Sequence, residues 1–180
     1  MKIQKTKLKN VLKINPDIFD DFRGEYVKTY DELEYNKAFI DNGINEILTF
    51  IEDDISIATQ HVLKGVHGDD RTWKLISCSY GKFYLMVICY DKDSEDYGKW
   101  QAFTLSDKNR IQILVPPKHG NGHACMSDMS IFSYKQTEPY DIDRQFSIRW
   151  DDERFNMFWP INNPILSQRD KEGDKKYVEK

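Results

Sequence analysis

The sequence predicts an all-β fold, a sandwich or barrel of short strands with small helices near the two ends. Runs rich in β-branched and aromatic residues recur between Ile47 and Ile148, and such residues favour strands. Turn signals separate these runs, among them Tyr80-Gly81-Lys82, Ser106-Asp107-Lys108-Asn109 and Pro116-Pro117. Many short strands divided by turn residues are typical of sandwiches and barrels.

The length and composition suit one folded domain. The chain has 180 residues, of which 39% are hydrophobic and 13% aromatic, enough for a core without disulfides or a metal. It contains no internal repeat and no low-complexity linker. We therefore expect residues 1–180 to form a single domain.

Charge and cysteine content exclude several classes of partner. The net charge of -4 gives no basic surface for nucleic acid. There is neither an apolar run that could span a bilayer nor the apolar segment of a signal peptide, so we expect a cytoplasmic protein with no membrane partner. Cys78, Cys89 and Cys125 are odd in number, widely spaced and set among apolar residues, which indicates buried thiols rather than disulfides or a zinc site.

The N-terminal part carries the weaker patterns. The lysine-rich residues 2–13 read as a short tail at most, and residues 14–19 as a short strand that ends in a turn at Asp20 to Gly24, because Asp and Gly supply turn chemistry. Residues 31–39 are the predicted helix, since Asp31, Glu32 and Glu34 form an acidic first turn that suits the positive end of a helix.

The predicted strands then follow in chain order. They lie at residues 47–51, 60–66, 74–79, 81–90, 100–105, 110–115, 123–126, 130–136 and 146–148. Residues 83–90 are almost all apolar, which fits a central strand covered on both faces or a strand in a subunit interface. An oligomer is therefore expected. The charged tail from Lys171 is predicted to be solvated or helical.

One histidine stands out as a candidate base. His67 ends the β-branched run of residues 62–67, and Lys74 follows seven residues later. A histidine on a strand with a cation nearby suits proton abstraction beside a carbonyl, because the base takes the proton and the cation stabilises the enolate. From these residues alone, a hydrogen-bonded core histidine is the alternative.

An ordered set of motifs adds a family resemblance. The motifs are FRGEY (22–26), LKGVH (63–67), SEDYGKW (94–100), LSDKNR (105–110), VPP (115–117), FSYKQT (132–137), IRWDD (148–152), WP (159–160) and PILSQRD (164–170). Their order and spacing closely resemble the dTDP-4-dehydrorhamnose 3,5-epimerase family. The resemblance implies a cupin-type jelly roll, or double-stranded β-helix. It also implies a homodimer that exchanges N-terminal strands, and epimerisation of a nucleotide-linked 4-keto sugar without a metal or other cofactor.

The resemblance also implies residue roles. His67 matches the family's base, Asp170 the carboxylate that orients it, Lys74 the lysine near the keto oxygen, and Tyr134 the acid on the opposite face. Tyr140 matches a tyrosine that lines the sugar pocket. The chemistry agrees, since epimerisation next to a ketone needs a base, an oxyanion stabiliser and an acid across the ring. A core tyrosine at 134 and a helix N-cap at 170 are the structural alternatives.

Several positions depart from the family pattern at the nucleotide end of the pocket. Lys64 stands where the family usually has an arginine that contacts phosphate, and Glu52 and Asp54 replace Gln and Asn. Lys28 replaces a glutamate after the FRGEY motif, in which Arg23 and Tyr26 are candidate substrate-binding residues. One carboxylate can accept hydrogen bonds from the two adjacent donors of guanine, so we predict a GDP-linked substrate, with Glu52 or Asp54 facing the base. Solvated or lysine-paired carboxylates are the alternative.

The histidines near residue 120 leave two interpretations open. Asn121 replaces the histidine of the family's Gly-Phe-Ala-His-Gly-Phe run, and His119 and His123 flank it. These positions could line the pocket, or belong to a surface or loop; we take Asn121 and His119 as candidate substrate-binding residues. With His61 and His67 six residues apart, no metal site is indicated.

Three hypotheses for function follow. The first is an enzyme that inverts C3, C5 or both carbons of a nucleotide-linked 4-keto-6-deoxy sugar, a hexose or heptose for a surface polysaccharide. The second is a 3,4-ketoisomerase, which would move the carbonyl. The third is a sugar-nucleotide binding module without catalysis.

Overall fold

Two β-sheets pack against each other around the core of the protein, and a computed structural model describes residues 1–173. Every pairing between neighbouring strands within the sheets is antiparallel. The six-stranded sheet has the order β1 (Lys2–Lys5), β2 (Leu12–Asn15), β10 (Gln112–Val115), β7 (Lys74–Tyr80), β12 (Met129–Gln136) and β5 (Glu52–Thr59). The five-stranded sheet has the order β13 (Phe146–Ser147), β6 (Leu63–Gly68), β11 (His119–Cys125), β8 (Lys82–Cys89) and β9 (Trp100–Ser106).

The remaining elements lie outside these sheets. Strands β3 (Ile18–Asp21) and β4 (Gly24–Val27) form a separate hairpin. Helix α1 (Glu32–Asp41) follows it, and helix α2 (Gln168–Glu172) lies near the C-terminal end of the described part, after a short 3-10 helix at Ile142–Arg144. The all-β prediction with small helices near both ends is therefore confirmed.

The inner faces of the two sheets share one hydrophobic core. Ile76 and Ile113 project from the six-stranded sheet, and Leu85 and Val87 from the five-stranded sheet, all fully buried. Burying such side chains is the main favourable contribution to folding. The core holds the two sheets in a fixed relation, and the candidate site is built between them.

Strand β8 is covered on both faces within one chain. Leu85 and Val87 face the core between the sheets, and Met86 and Ile88 pack in a second cluster with Ile148, Phe155 and Trp159 from the C-terminal third. The expectation of a central, doubly covered strand is confirmed. Its apolar face therefore needs no subunit interface to bury it.

The predicted helix is confirmed with a small shift in its ends. Asp31 is the N-cap of α1, and its Oδ1 accepts a hydrogen bond of 2.9 Å from the Glu34 N–H. A capping carboxylate satisfies one of the free N–H groups at the start of a helix. The acidic first turn therefore correctly predicted the start of α1.

The strand predicted at residues 47–51 is wrong. Leu48 pairs with a side chain of α1 instead: its N–H donates to Asn36 Oδ1 at 2.7 Å, and its carbonyl accepts from Asn36 Nδ2 at 2.9 Å. The strand begins just after this segment, as β5. It was missed because consecutive acidic residues at 52–54 are poor strand formers, although an edge strand tolerates charge.

Smaller corrections concern strand ends. Residues 2–5 form β1, not a tail, and they pair with β2. Residues 60 and 61 belong to a turn and Val62 forms an isolated parallel bridge with Ile165, so β6 begins at Leu63. Strand β11 begins at His119, four residues before the predicted strand. The glycines at 120 and 122 hid the start of β11, because glycine usually weakens a strand.

The three cysteines have the environment that the sequence predicted. Cys78, Cys89 and Cys125 are buried free thiols. None of the helices in residues 1–173 has the length and apolar character needed to cross a membrane. The predicted solvated or helical tail falls largely on residues 174–180, which lie outside the described part.

Candidate active site

His67 and Asp170 meet although 103 residues separate them. His67 lies on β6, and Asp170 lies in the first turn of α2, whose N-cap is Ser167. His67 Nε2 lies 2.8 Å from Asp170 Oδ1. The carboxylate also accepts from the Gly65 N–H at 3.2 Å and from Ser167 Oγ at 2.7 Å. Three neighbours therefore fix a carboxylate that is only 3% exposed.

The His67 and Asp170 side chains are in close contact, but the contact is not an aligned hydrogen bond. The two atoms are near, but the direction of approach leaves Nε2 without a hydrogen-bond partner. Catalytic hydrogen bonds often tighten only when substrate binds. Nδ1 has no hydrogen-bond partner within residues 1–173, so it is the nitrogen available to a substrate.

The charges around His67 favour the neutral imidazole. Burial lowers the pKa of His67, and the cations Arg169 and Lys74 lower it further, while Asp170 opposes them. Burial alone would raise the pKa of Asp170, but the close His67 ring and the hydrogen bonds from Ser167 and Gly65 outweigh it, and the pKa is lowered. The pair therefore holds a neutral base beside an ionised carboxylate near neutral pH.

Lys74 and Tyr134 come from adjacent strands of the other sheet. In the register of β7 and β12, Lys74 stands opposite Gln136, and Tyr134 stands opposite Ile76. Lys74 is buried, and burial lowers its pKa. Burial raises the pKa of Tyr134, and the Asp54 carboxylate adds to that effect. Tyr134 therefore keeps its proton and can act as a donor.

These four side chains line one cavity of about 440 Å³. Its walls combine β6 and β11 of one sheet, β7 and β12 of the other, and the segment from Ile165 to Asp170. Leu63, Phe132, Ile165 and Leu166 contribute apolar surface. A cavity with apolar walls and a few converging polar groups is the usual form of a small-molecule site.

Three further predicted residues line the same cavity, namely Tyr140, Lys64 and Asn121. Lys64 Nζ donates to Ser56 Oγ at 2.8 Å and to the Ile57 carbonyl at 2.9 Å. Both acceptors are neutral, so the lysine keeps its charge available for an anionic group. Asn121 stands opposite His67 in the pairing of β11 with β6.

Glu52 and Asp54 lie outside the cavity lining and have partners within the chain. Both carboxylates accept hydrogen bonds from the Gln136 side-chain amide, and Glu52 also accepts from the Tyr140 N–H at 3.1 Å. Neither carboxylate pairs with Lys28 or Lys64 among the described residues, because Lys28 binds Glu34 and Asp31. Glu52 and Asp54 both lie on β5, which pairs with β12, the strand that carries Tyr134. Through Glu52 they also contact the backbone of Tyr140.

Three other predicted residues are not brought to this cavity. Arg23 and Tyr26 lie on the β3 and β4 hairpin, where Arg23 forms an exposed ion pair with Asp21. His119 borders a separate cleft with Asp91 and Asp96, and its Nδ1 lies 3.1 Å from the Pro117 carbonyl. Within a single chain, none of these three residues is part of the cavity wall.

Two titratable residues of the cavity wall, Arg169 and His123, were not among the predicted site residues. Arg169 donates through Nε to Ser147 Oγ at 2.8 Å and through Nη2 to Gln145 Oε1 at 3.2 Å. His123 lines the cavity as a buried residue, so its surface or loop interpretation is wrong. The signal for His123 was its spacing of two from Asn121, which places both on one face of a strand.

The described part of the chain contains no group of three or more His, Cys, Asp or Glu residues placed to hold a metal ion. His61 lies in the turn before β6 and is not part of the cavity wall. The site's polar groups are those of acid and base chemistry.

Comparison with known proteins decides the family. The model of the dTDP-4-dehydrorhamnose 3,5-epimerase family matches residues 5–176. The chain belongs to this family. It is therefore a nucleotide-sugar epimerase, an isomerase with the cupin jelly-roll fold of its structural neighbours.

Three relatives illustrate the match. The dTDP-4-dehydrorhamnose 3,5-epimerase of Shigella flexneri is 30% identical over 97% of this chain and 96% of its own length. The structure of the enzyme of that name from Elizabethkingia anophelis is 30% identical, with a TM-score of 0.86 over 96% of this chain and 94% of that one. A Legionella pneumophila dTDP-6-deoxy-D-glucose-3,5-epimerase, solved with dTDP-4-keto-L-rhamnose, is 27% identical, with a TM-score of 0.87 over 94% and 89% of the two chains.

Proposed function

We propose that this protein inverts C3, C5 or both carbons of a nucleoside-diphosphate-linked 4-keto-6-deoxy sugar. The observation that carries the proposal is the meeting of a carboxylate-supported His67, a buried Lys74 and a protonated Tyr134 around one cavity. A hydrogen next to a ketone can be removed because the charge moves onto oxygen, and these three groups match the three needs of that reaction.

The reaction begins with His67. Its free nitrogen takes the proton from the carbon next to C4, the C–H electron pair forms a C=C bond, and the carbonyl π electrons move to O4. Lys74 donates a hydrogen bond to O4 and stabilises the enolate. Asp170 stabilises the imidazolium that forms, as a carboxylate does for histidine in hydrolase triads.

Tyr134 completes the inversion. Its hydroxyl gives a proton to the opposite face of the same carbon while the C4 carbonyl re-forms. The imidazolium then loses its proton, the phenolate regains one from solvent, and both groups return to their starting states. The raised pKa of Tyr134 keeps the donor protonated until the enolate forms.

The nucleotide is proposed to be GDP. Glu52 and Asp54 give the site acidic groups at the end where the family resemblance places the base. Gln136 occupies one oxygen of Asp54, so a second oxygen could accept from guanine. Calorimetric titration with GDP, dTDP and UDP tests this point, with Glu52→Gln and Asp54→Asn as variants. Equal affinity for GDP and dTDP would refute it, as would unchanged GDP affinity in both variants.

The active form is proposed to be a cytoplasmic homodimer that exchanges the β3 and β4 hairpin. Phe22 at the tip of the hairpin is 98% exposed, and Phe19 and Tyr26 are 63% and 67% exposed. Such an apolar hairpin usually marks an interaction site. The outward face of β5 adds exposed Ile55 and Ile57, so both surfaces are suited to bury against a second copy.

Exchange of carbon-bound hydrogen tests the reaction. GDP- and dTDP-linked 4-keto-6-deoxy hexoses and heptoses are incubated with enzyme in deuterated water and followed by NMR. We expect deuterium at C3, C5 or both, with the C4 ketone retained, and His67→Asn should lower the rate by about 10² to 10⁴ fold. A carbonyl that moves from C4 would indicate a ketoisomerase, and binding without exchange would indicate a non-catalytic module.

A further inference from the structure

His123 is a buried imidazole in the wall of the cavity that the proposed mechanism leaves without a task. It lies on β11, two residues beyond Asn121, and it is only 5% exposed. Its ring stacks on Phe132, with centroids 4.2 Å apart and planes 13° apart. Phe83 packs on it at a centroid distance of 5.5 Å.

No hydrogen bond satisfies this ring. Nε2 is fully enclosed without a partner, and Nδ1 makes no hydrogen bond within residues 1–173. A buried polar group left unpaired destabilises the folded protein. Native proteins rarely leave such groups unless they have a function or bind water. A phenylalanine would fill the space between Phe83 and Phe132 without that cost.

The ring is neutral over the working range of pH. Burial lowers the pKa of His123 to about 3, and the nearby cation Lys64 contributes. A neutral imidazole carries one donor and one acceptor. It therefore suits an uncharged hydroxyl group better than a phosphate or a carboxylate.

A second unpaired group lies on the same strand face. Asn121 Oδ1 is also buried without a partner and lines the cavity. Positions two apart on a strand point to the same side. This wall of the cavity thus offers His123 Nε2 and Asn121 Oδ1 near His67, and neither atom has a hydrogen-bond partner within residues 1–173.

We propose that His123 recognises the sugar by exchanging a hydrogen bond with one of its hydroxyl groups, on the wall that it shares with Asn121. The proposal rests on the proposed function, because it takes the sugar to be the occupant of this cavity. His123 would select the sugar and fix its orientation over His67, with no part in proton transfer. The nucleotide would not touch it.

Nitrogen NMR of the wild-type protein tests the contact directly. Histidine side chains are labelled with ¹⁵N, and His123 is assigned by the signals that vanish in His123→Phe. GDP, dTDP, GDP-mannose and dTDP-glucose serve as probes, since the C4 hydroxyl of these two sugars prevents epimerisation. We expect a sugar-bearing probe to shift the His123 ring nitrogens by several ppm and the free diphosphates to leave them unchanged. No shift, or an equal shift with the diphosphate alone, would overturn the proposal.

Kinetics separates recognition from packing. His123→Phe should lower kcat/KM by about 5 to 20 fold, mainly through KM, with diphosphate affinity within about twofold of wild type and no loss of thermal stability. Phe83→Leu is the matched control, because it disturbs the same aromatic stack without touching the cavity. It should lower Tm and keep kcat/KM near the wild-type value. His123→Gln, which retains a donor and an acceptor, should recover part of the loss.

Two results would contradict this assignment. Wild-type kcat/KM in His123→Phe would show that the ring does not touch substrate, and parallel losses of Tm and kcat/KM in both variants would show a purely structural role. If wild-type protein failed to exchange hydrogen on any keto sugar, the proposed reaction would fail, yet the NMR titration would still decide whether His123 binds sugar.

Discussion

At the scale of single residues, the pKa of His67 is set by opposing neighbours. Arg169 and Lys74 lower it, and Asp170 raises it, while burial is the largest effect and lowers it. A general base must be unprotonated at working pH but still basic enough to accept a proton. The Asp170 carboxylate therefore offsets part of the decrease in the His67 pKa that burial and the two cations cause.

Opposite shifts of the pH profile follow from this balance. Asp170→Asn removes a negative charge, so the pKa of His67 should fall and the acid limb of kcat/KM should move to lower pH, with a lower plateau. Arg169→Gln removes a positive charge, so the pKa should rise and the limb should move to higher pH. Hydrogen-exchange rates across the pH range measure both. Arg149→Gln is the control, because Arg149 pairs with Asp151 away from the cavity. If the acid limb moved in the same direction in both variants, the assignment of His67 as the base would be contradicted.

Tyr134→Phe should separate proton abstraction from inversion. The enolate can still form at His67, but no donor remains on the far face, so deuterium should enter with retained configuration. NMR coupling constants of the recovered sugar distinguish the two outcomes. Tyr140→Phe serves as comparison, since Tyr140 lines the same cavity. Inversion at the wild-type rate in Tyr134→Phe would mean that another group is the acid.

At the scale of elements, the approach of β6 to β11 positions the base. A Cβ at Gly65 would lie 2.5 Å from Gly122 Cα and 2.8 Å from the Asn121 carbonyl oxygen, and the Gly65 φ is +113°. Residues with a Cβ rarely adopt that φ. The neighbouring atoms belong to the backbone of β11, so relieving the contact would require a shift of that strand. Glycine at 65 thus permits the pairing that sets His67 opposite Asn121.

Gly65→Ala should therefore cost about 2 to 5 kcal/mol of unfolding free energy, from backbone strain and steric conflict together. Urea unfolding measures the loss. Gly43→Ala is the matched control, with a φ of +103° but a nearest contact of 3.8 Å at Lys5 Nζ. Gly43→Ala should therefore lower the unfolding free energy only by the contribution from backbone strain. An equal loss in both variants would show that the contact with β11 is unimportant.

Local patterns predicted most elements, and their failures have physical causes. Alternation and turn residues located the central strands, because those signals act within a few residues. Strand β5 was missed because its acidic residues are tolerated only at a sheet edge, and edge position is a property of the whole sheet. The meeting of Asp170 with His67 was expected only through the family resemblance, since no local pattern encodes a contact across 103 residues.

At the scale of the whole molecule, the proposed exchange of the β3 and β4 hairpin would account for the predicted site residues that do not line the cavity of their own chain. Arg23 and Tyr26 resemble substrate-binding residues, yet they lie on an exposed hairpin away from the cavity. A two-fold dimer that exchanges this hairpin would bring the hairpin of one subunit to the cavity of the other. Each active site would then need residues from two chains.

Mixing an impaired variant with an inactive one tests that arrangement. Arg23→Ala should lower kcat/KM although Arg23 is remote from its own cavity, and His67→Asn should abolish activity. In a mixed dimer, the cavity with an intact His67 would receive the hairpin with an intact Arg23. An equal mixture, refolded together, should recover about one quarter of wild-type activity, because half of the dimers are mixed and each holds one complete site. Activity no greater than the sum of the two variants would show that each hairpin serves its own chain.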